Sequence, residues 1–437
     1  MDPLFVGFLG VVFLVFLIII RVPIAVALAA VGVLGLWYLM GFERVILYVP
    51  QQVYSRVAKF TFTAIPLFLL MGYFAFYAGI TDEAYDVARA WLGRVPGGLG
   101  LATIAGCALF AASAGSSLGE CAAMSKIAVP EMVKSGYSRR LATGLVASAG
   151  GLAVVIPPSV IMVIYGVLSE QSVGQLLIAG VLPGILYFAV FSLGIFLFAI
   201  FKPGSAPIEP TSTASWRSRL TSLGKIWEIA VLFTVSIGGI YAGLVTPTEG
   251  AALGAFAAVL LTLFKGRLTW TILKTAIIET VAAASVIFML FVGAAIFTIF
   301  LTLTGVLQNS TNWLIELNLS KDMLFWALIF LFVLMGSVLD AISIMLITLP
   351  LVLPIIEYQG LSPIWFGVIM CMIVEIGCIT PPMGLNVYVM KAAMGSSIDL
   401  NDIFIGALPF VILMLIIVGI LFYFPVIALW LPSMMSQ

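Results

Sequence analysis

Apolar runs long enough to cross a lipid bilayer, two of them cut by a proline pair, constrain this chain more than any other feature. Ten runs, at approximately residues 4–20, 22–41, 60–79, 139–169, 174–201, 225–245, 248–264, 277–305, 362–391 and 402–430, are candidates for full crossings. Each is near or above the roughly 20 residues a spanning helix needs. Composition agrees: the chain is 63% hydrophobic and 9% charged, where a soluble domain carries about 25% charged residues. The expected fold is an all-α polytopic membrane protein whose solvent is the lipid bilayer, with no polar stretch long enough for a separate soluble domain. The N-terminal run lacks the basic start of a secretory signal and reads as a retained transmembrane helix.

The same composition excludes several functions. There is no histidine, so histidine catalysis, histidine metal ligation and a histidine proton relay are ruled out. Net charge is zero, which leaves nucleic acid no basic footprint. Cys107, Cys121, Cys371 and Cys378 lie in apolar stretches at no metal-ligand spacing and read as small buried residues.

Two further apolar stretches, 98–133 and 322–357, are too long for one crossing and carry small or polar residues midway. Each reads as two short legs of a re-entrant hairpin, with turns near "SAGSSLGE" (113–120) and "MGSVLDAIS" (335–343). The positive-inside rule tests this arrangement. With the N-terminus outside, four of the 19 Lys and Arg fall outside (Arg44, Arg56, Lys59, Lys321), Lys126 sits in a hairpin leg, and the other 14 face the cytoplasm. The first hairpin then enters from the cytoplasm and the second from outside.

A Pro/Ser/Thr-rich linker at 203–222 divides the chain into halves that repeat. A shift of 224 residues places Pro130 on Pro354, Gly136 on Gly360, and Pro157-Pro158 on Pro381-Pro382, and "GVLP" (180–183) meets "GALP" (406–409) with a two-residue slip. The copies have opposite orientation in the topology above. An inverted repeat with interrupted helices is the signature of a secondary transporter. A proline inside a helix removes a hydrogen bond and adds a ring clash, so 139–169 and 362–391 are expected to be broken helices. New half-helices would start just after the prolines, at Ser159 and Met383, and the second hairpin legs near Ser117 and Ala341. Four helix N-termini would then meet at mid-membrane, an environment that suits an anion. Carbonyls freed at the breaks, with nearby hydroxyls, suit a hard cation such as sodium.

Candidate residues follow from this frame. Ser113, Gly115, Ser116 and Ser117 occupy the first hairpin tip, where the alternative to a cation site is small residues easing helix packing. Thr380 precedes the second break. Asp340, Glu120 and Glu375 are ionisable groups inside apolar segments, which are functional more often than not, although Asp340 divides evenly between lining a cavity and coupling. Asn386 and Tyr388 after the second break, and Ser159 and Tyr165 after the first, are candidates for substrate contact, with ordinary packing as the alternative for the tyrosines. The amphipathic stretch 82–94 reads as an arm along the inner interface, with 48–60 as its counterpart at the outer surface.

With these residues in hand, the chain resembles the large membrane subunit of tripartite ATP-independent periplasmic (TRAP) transporters. The resemblance rests on "AGSSLGECAAMSKIAVPEMVKSGYSRRLATG" (114–144), "VIPPSVIMVIYG" (155–166) and "FGVIMCMIVEIGCITPPMGLNVYV" (366–389), and extends over essentially the whole chain. It implies sodium-driven uptake of an organic anion, such as sialic acid or a C4-dicarboxylate, across the bacterial inner membrane by an elevator-type motion. It also implies two partners, a small four-helix membrane subunit and a periplasmic substrate-binding protein. Sodium sites in this fold lie where each hairpin tip meets its broken helix. By position these are Ser113, Gly115, Ser116, Ser117 and Pro157 for the first, and Gly336, Asp340, Thr380 and Pro381 for the second. The implied organisation has scaffold helices and an interfacial arm at 1–60, a first repeat at 61–201, a cytoplasmic linker at 202–224, scaffold helices at 225–276 and a second repeat at 277–437.

Two other readings compete. A stand-alone sodium/dicarboxylate symporter shares the hairpins and inverted repeats but needs no binding protein. An intramembrane enzyme could use Asp340 as an acid, yet an aspartyl protease needs two carboxylates in mutual reach, and no second aspartate lies deep in another apolar segment. A channel is disfavoured because broken-helix repeats suggest a site with alternating access.

Overall fold

The computed structural model describes residues 2–435 except 203, 205, 208–215, 396 and 397. Much of the expected linker, 202–224, therefore lies outside the described residues; its described end forms a short helix, Trp216–Leu223. The described residues are helical with no strand, as lipid requires of a chain that must satisfy its own backbone.

Each stretch expected to form a hairpin folds as two helices joined by a short turn. The first comprises Gly98–Ala114 and Ser117–Lys134, the second Lys321–Gly336 and Ala341–Tyr358. Both expected breaks are present as well. Arg139–Val155 and Val160–Leu168 meet at a bend of 47°, and Pro363–Cys378 is separated from Leu385–Met394 by the second proline pair. Pro157-Pro158 and Pro381-Pro382 are both cis.

By length and hydropathy alone, seven continuous helices can cross a membrane, eight with the bent pair counted as one. The ten expected crossings differ for identifiable reasons. Pro3–Ile19 and Ile24–Met40 have 17 residues each, just short of a full span, and Ala341–Tyr358, one of the seven, is a hairpin leg. Trp270–Leu303 has 34 residues and at 1.5 Å per residue runs about 51 Å, well beyond the roughly 30 Å hydrocarbon core. The last run divides into Leu400–Tyr423 and Val426–Ser433.

The repeat extends to the element boundaries. Helices starting at Ile24, Gly98, Ser117 and Arg139 have counterparts starting at Pro247, Lys321, Ala341 and Pro363, each 223 or 224 residues on. The matched Pro and Gly have a local cause. Gly136 (φ 93°) and Gly360 (φ 67°) end the second legs in the left-handed region, and Tyr137 N–H to Met132 O and Leu361 N–H to Ile356 O, both 3.0 Å, close the same C-cap. Only glycine takes that conformation without a Cβ penalty. Ser138 and Ser362, again 224 apart, cap the broken helices that follow.

At the repeat spacing Ile80–Leu92 falls on Val306–Glu316; the other amphipathic stretch is 48–60. The latter belongs to Phe42–Val57, which corresponds with the first half of Trp270–Leu303.

The halves are interleaved. Ile24–Met40 packs along Trp270–Leu303, and Pro247–Phe264 packs along Ala64–Tyr77. A Cβ on Gly293 would stand 2.4 Å from the Ala25 carbonyl oxygen, so small residues set this close approach. Ion pairs join Lys59 to Glu170, Arg89 to Glu131, Arg140 to Asp402, and Lys265 to Glu83 and Glu228. In each, the partners fall on the same side in the charge-derived topology. Large apolar side chains of the first helix, among them Phe5, Phe8 and Phe16, are exposed and face lipid or a neighbour.

Candidate functional site

Each hairpin tip is tied to the proline break of its own half. Val160 N–H donates to Gly115 O at 3.3 Å, and Met383 N–H donates to Ser337 O at 2.9 Å. The first contact is close because Gly115 lacks a side chain: a Cβ there would sit 2.0 Å from Pro158 O. The second uses Gly336 against Gly377, where a Cβ on Gly377 would be 2.4 Å from the Gly336 Cα.

At the first junction Ser113 is buried and its hydroxyl donates to Phe110 O at 2.8 Å. Ser116 caps the second leg by accepting from Gly119 N–H at 3.3 Å. Ser117 and Pro157 are buried beside them, and Ser159 caps Val160–Leu168 by accepting from Met162 N–H at 3.3 Å. Of the five residues expected at the first site, Gly115 makes the contact with the break, and the Ser117 hydroxyl is directed to Glu375. At the second junction Thr380 donates to Gly377 O at 3.0 Å, with Gly336 buried below it and Pro381 exposed. A hydroxyl that spends its proton on a helix carbonyl turns its lone pairs outward. Ser113 and Thr380 are both in that state.

Asp340 occupies the repeat position of Ser116. It caps Ala341–Tyr358 by accepting from Ile342 N–H and Ser343 N–H, both at 3.0 Å, and from the Ser343 hydroxyl. The four helix ends differ from one another, and one expected start is corrected. The carboxylate of Asp340 offsets the dipole of its own helix, and the last half-helix starts at Leu385 behind Gly384 rather than at Met383.

The remaining substrate candidates scatter. Tyr165 is buried and donates from its hydroxyl to Pro363 O at 2.7 Å, linking the two broken helices. Tyr388 is exposed. Asn386 is buried and donates to Glu375 Oε1 at 2.6 Å. Glu120 is buried nearby, and it is this grouping, across both halves, that residue-by-residue reading of the sequence missed.

A cavity of about 370 Å³ lies between the end of Phe42–Val57, the middle of Trp270–Leu303, the second hairpin's second leg and the end of Val160–Leu168. Arg56, Lys59, Thr298 and Met345 line it. Lys59 pairs with Glu170 at 3.1 Å. In the sequence Arg56 and Lys59 read only as outer-side charges, because their convergence with Thr298 has no local signal.

Comparison with known proteins agrees with this architecture. The family model for the DctM component of tripartite ATP-independent periplasmic transporters matches residues 11–427. The chain is 35% identical over 408 residues to the C4-dicarboxylate TRAP transporter large permease protein DctM of Pseudomonas aeruginosa, covering 91% of this chain and 94% of that one. It is 29% identical to the sialic acid TRAP transporter large permease protein SiaM of Vibrio cholerae, covering 88% and 89%. The fold is similar to that of the Alcanivorax borkumensis YdaH transporter, with a TM-score of 0.60 over 99% of each chain at 14% identity. The chain is a transporter subunit rather than an enzyme, a multi-pass integral protein of the bacterial inner membrane, and it belongs to the DctM family of TRAP transporter large permeases.

Proposed function

We propose that this chain carries a small organic anion, a carboxylate by preference, into the cell by sodium-coupled secondary transport. It would receive the substrate from a periplasmic binding protein and work beside a small membrane subunit. The observation that carries the reading is the paired junction: a hairpin tip hydrogen-bonded to a proline break, once in each half. Each junction offers main-chain carbonyls and hydroxyl lone pairs, the oxygen ligands a sodium ion takes. In this reading the halves are an inverted repeat, as the 14-to-4 charge asymmetry and the same-side ion pairs support. Hairpins and broken helices form the moving body; the first two helices and 225–276 form most of the scaffold.

The cavity at Arg56, Lys59 and Thr298 lies where the second hairpin and the first broken helix face the end of Phe42–Val57 and the middle of Trp270–Leu303. Glu170 also lines it and pairs with Lys59, which leaves Arg56 and the Thr298 hydroxyl to suit an anion. The relatives' names span C4-dicarboxylate, sialic acid and ectoine, so the identity of the acid is a matter for the binding protein and for assay. The test is uptake into proteoliposomes with and without each partner, under a sodium or a proton gradient. Sodium-driven uptake that needs both partners is the expected result. Equal uptake with a proton gradient and no sodium would remove the coupling, and robust uptake by this chain alone would favour the stand-alone symporter.

A further inference from the structure

A second cavity, of about 410 Å³, is lined without a single polar side chain. Its walls are Ala108 on the first leg of the first hairpin, Ile156 and Pro157 at the first break, Gly184 and Phe188 on Val181–Phe201, and Phe233 on Trp227–Phe233. Ile185, also in the wall, is 58% exposed. The cavity therefore opens sideways between membrane-crossing segments, and its mouth meets lipid rather than water. An apolar space of this kind stays dry, and one of about 150 Å³ takes a benzene ring. By the same ratio 410 Å³ has room for roughly 16 carbons, the length of one fatty-acyl chain.

The depth of the cavity suits a chain from the inner leaflet. Ala105 follows the start of its helix, Gly98, by seven residues, and Phe233 follows Trp227 by six. At 1.5 Å per residue the cavity begins about 10 Å in from both cytoplasmic helix ends, within the roughly 15 Å that half the hydrocarbon core provides. The two ends are tied together at the surface. Trp91, just ahead of the first leg, donates from Nε1 to Arg219 O at 3.1 Å, on the short helix just ahead of Trp227. Directly after Phe233 the helix widens into a π turn, Thr234–Gly238, a feature that recurs at functional sites.

That surface carries the chemistry of a headgroup site. Trp216 and Trp227 are both exposed, as in an aromatic belt at headgroup level. Arg217, Arg219 and Lys225 lie on the same stretch, and Arg217 and Lys225 are exposed. The Arg219 guanidinium stands over the Trp216 ring at 5.3 Å, and its Nε–H is buried with no acceptor among the described residues. A buried donor of this kind calls for a partner. The acid next to Trp227, Glu228, is spent on Lys265 at 2.8 Å. What this end lacks is an anion, and the phospholipids of the inner leaflet supply one.

We propose that this seam binds one anionic phospholipid of the inner leaflet. One acyl chain fills the cavity between Ala108, Pro157 and Phe233, and the phosphate takes the Arg219 Nε–H with Arg217 and Lys225 around it. The chain then lies against the first hairpin and the first break on one side and the 225–276 helices on the other. In the transport reading above that is the boundary between moving body and scaffold, so uptake should follow the occupancy of the site. Binding itself needs neither substrate nor sodium, and its measurement stands apart from that reading.

The test is native mass spectrometry of the full chain released from nanodiscs of phosphatidylcholine mixed with phosphatidylglycerol. The wild-type chain should keep one phosphatidylglycerol through a delipidation that strips phosphatidylcholine. Arg217→Gln combined with Arg219→Gln removes the head contacts, and Ala108→Leu fills the chain site; each is expected to lose the retained lipid. Ala105→Leu, in the same wall, stands in if Ala108→Leu does not fold, and the arginine pair leaves the apolar packing untouched. Retention unchanged in the arginine pair, or in the cavity variants, would overturn the proposal, since an annular lipid held by charge or by fat alone needs only one of the two. A wild-type chain that keeps phosphatidylcholine equally well, or keeps no lipid, would overturn it too.

Discussion

Replacing Gly115 with alanine tests whether the tip–break contact is the conformation that holds sodium. The added methyl has two separable effects. Gly115 has φ of 62°, and an L-residue in the left-handed region costs roughly 1–2 kcal/mol. That cost falls on the folded state as a whole. The second effect is a collision with the Pro158 carbonyl at 2.0 Å, about 1 Å inside any tolerable contact. The obstacle is main chain, which cannot rotate away as a side chain would. The tip must therefore lift from the break, stretching the 3.3 Å bond from Val160 N–H to Gly115 O beyond hydrogen-bonding range. Overpacking of this kind costs about 1–3 kcal/mol, and here it acts on the closed tip alone.

Sodium that binds only the closed tip must supply that difference, since a ligand shifts an equilibrium through its differential affinity. The half-saturating sodium concentration for uptake should then rise roughly 5- to 150-fold. Gly119→Ala is the control: its Cβ would meet Ser116 Oγ at 3.5 Å and Cβ at 3.7 Å, ordinary contacts, and sodium dependence should not change. The assay is uptake in proteoliposomes with both partners at graded sodium, with thermal unfolding measured in parallel. A Gly115→Ala protein that folds and shows wild-type sodium dependence would refute the reasoning, because the tip would then close on the ion despite losing its contact.

The charge-derived topology predicts that single cysteines at Lys225 and Lys321, both exposed, label from the cytoplasmic and outer sides respectively; labelling of both from one side would remove the inverted arrangement. Asp340→Asn retains a cap oxygen and should lose under about 1 kcal/mol, whereas Asp340→Ala removes the cap and should lose about 0.5–2 kcal/mol; equal unfolding midpoints for the two would deny the capping role. Gly377→Ala drives a Cβ to 2.4 Å from the Gly336 Cα and should destabilise by about 1–3 kcal/mol, read as a lower unfolding midpoint. Glu170→Gln frees Lys59 from an ion pair in which the two side chains are 42% and 80% exposed. Such a pair contributes roughly 0–1 kcal/mol, so stability should hold while the half-saturating substrate concentration falls; an unchanged or higher value would separate Lys59 from substrate capture.

The parts of the fold legible in the sequence are those written in residues with special backbones. A proline pair cannot continue a helix and Gly136 or Gly360 can end one, so breaks and turns appear at fixed spacing whatever surrounds them. The same spacing, carried further, locates Val306–Glu316 as the partner of Ile80–Leu92, an element that hydropathy passes over because its amphipathic pattern adjoins the 34-residue helix before it. Side-chain roles were less legible, for a different reason. Asp340 in an apolar run signals a functional charge, but whether it coordinates or caps depends on where the helix begins, a matter of one residue. Tyr165 and Asn386 follow the breaks at equivalent-looking distances, yet their partners, Pro363 O and Glu375, come from the other half or from the preceding half-helix. Glu120 and Glu375 illustrate the limit most plainly. Each alone is a carboxyl in a helix, 255 positions apart in the chain. Only the packing of the first hairpin against the second broken helix brings these two carboxyls together in the interior.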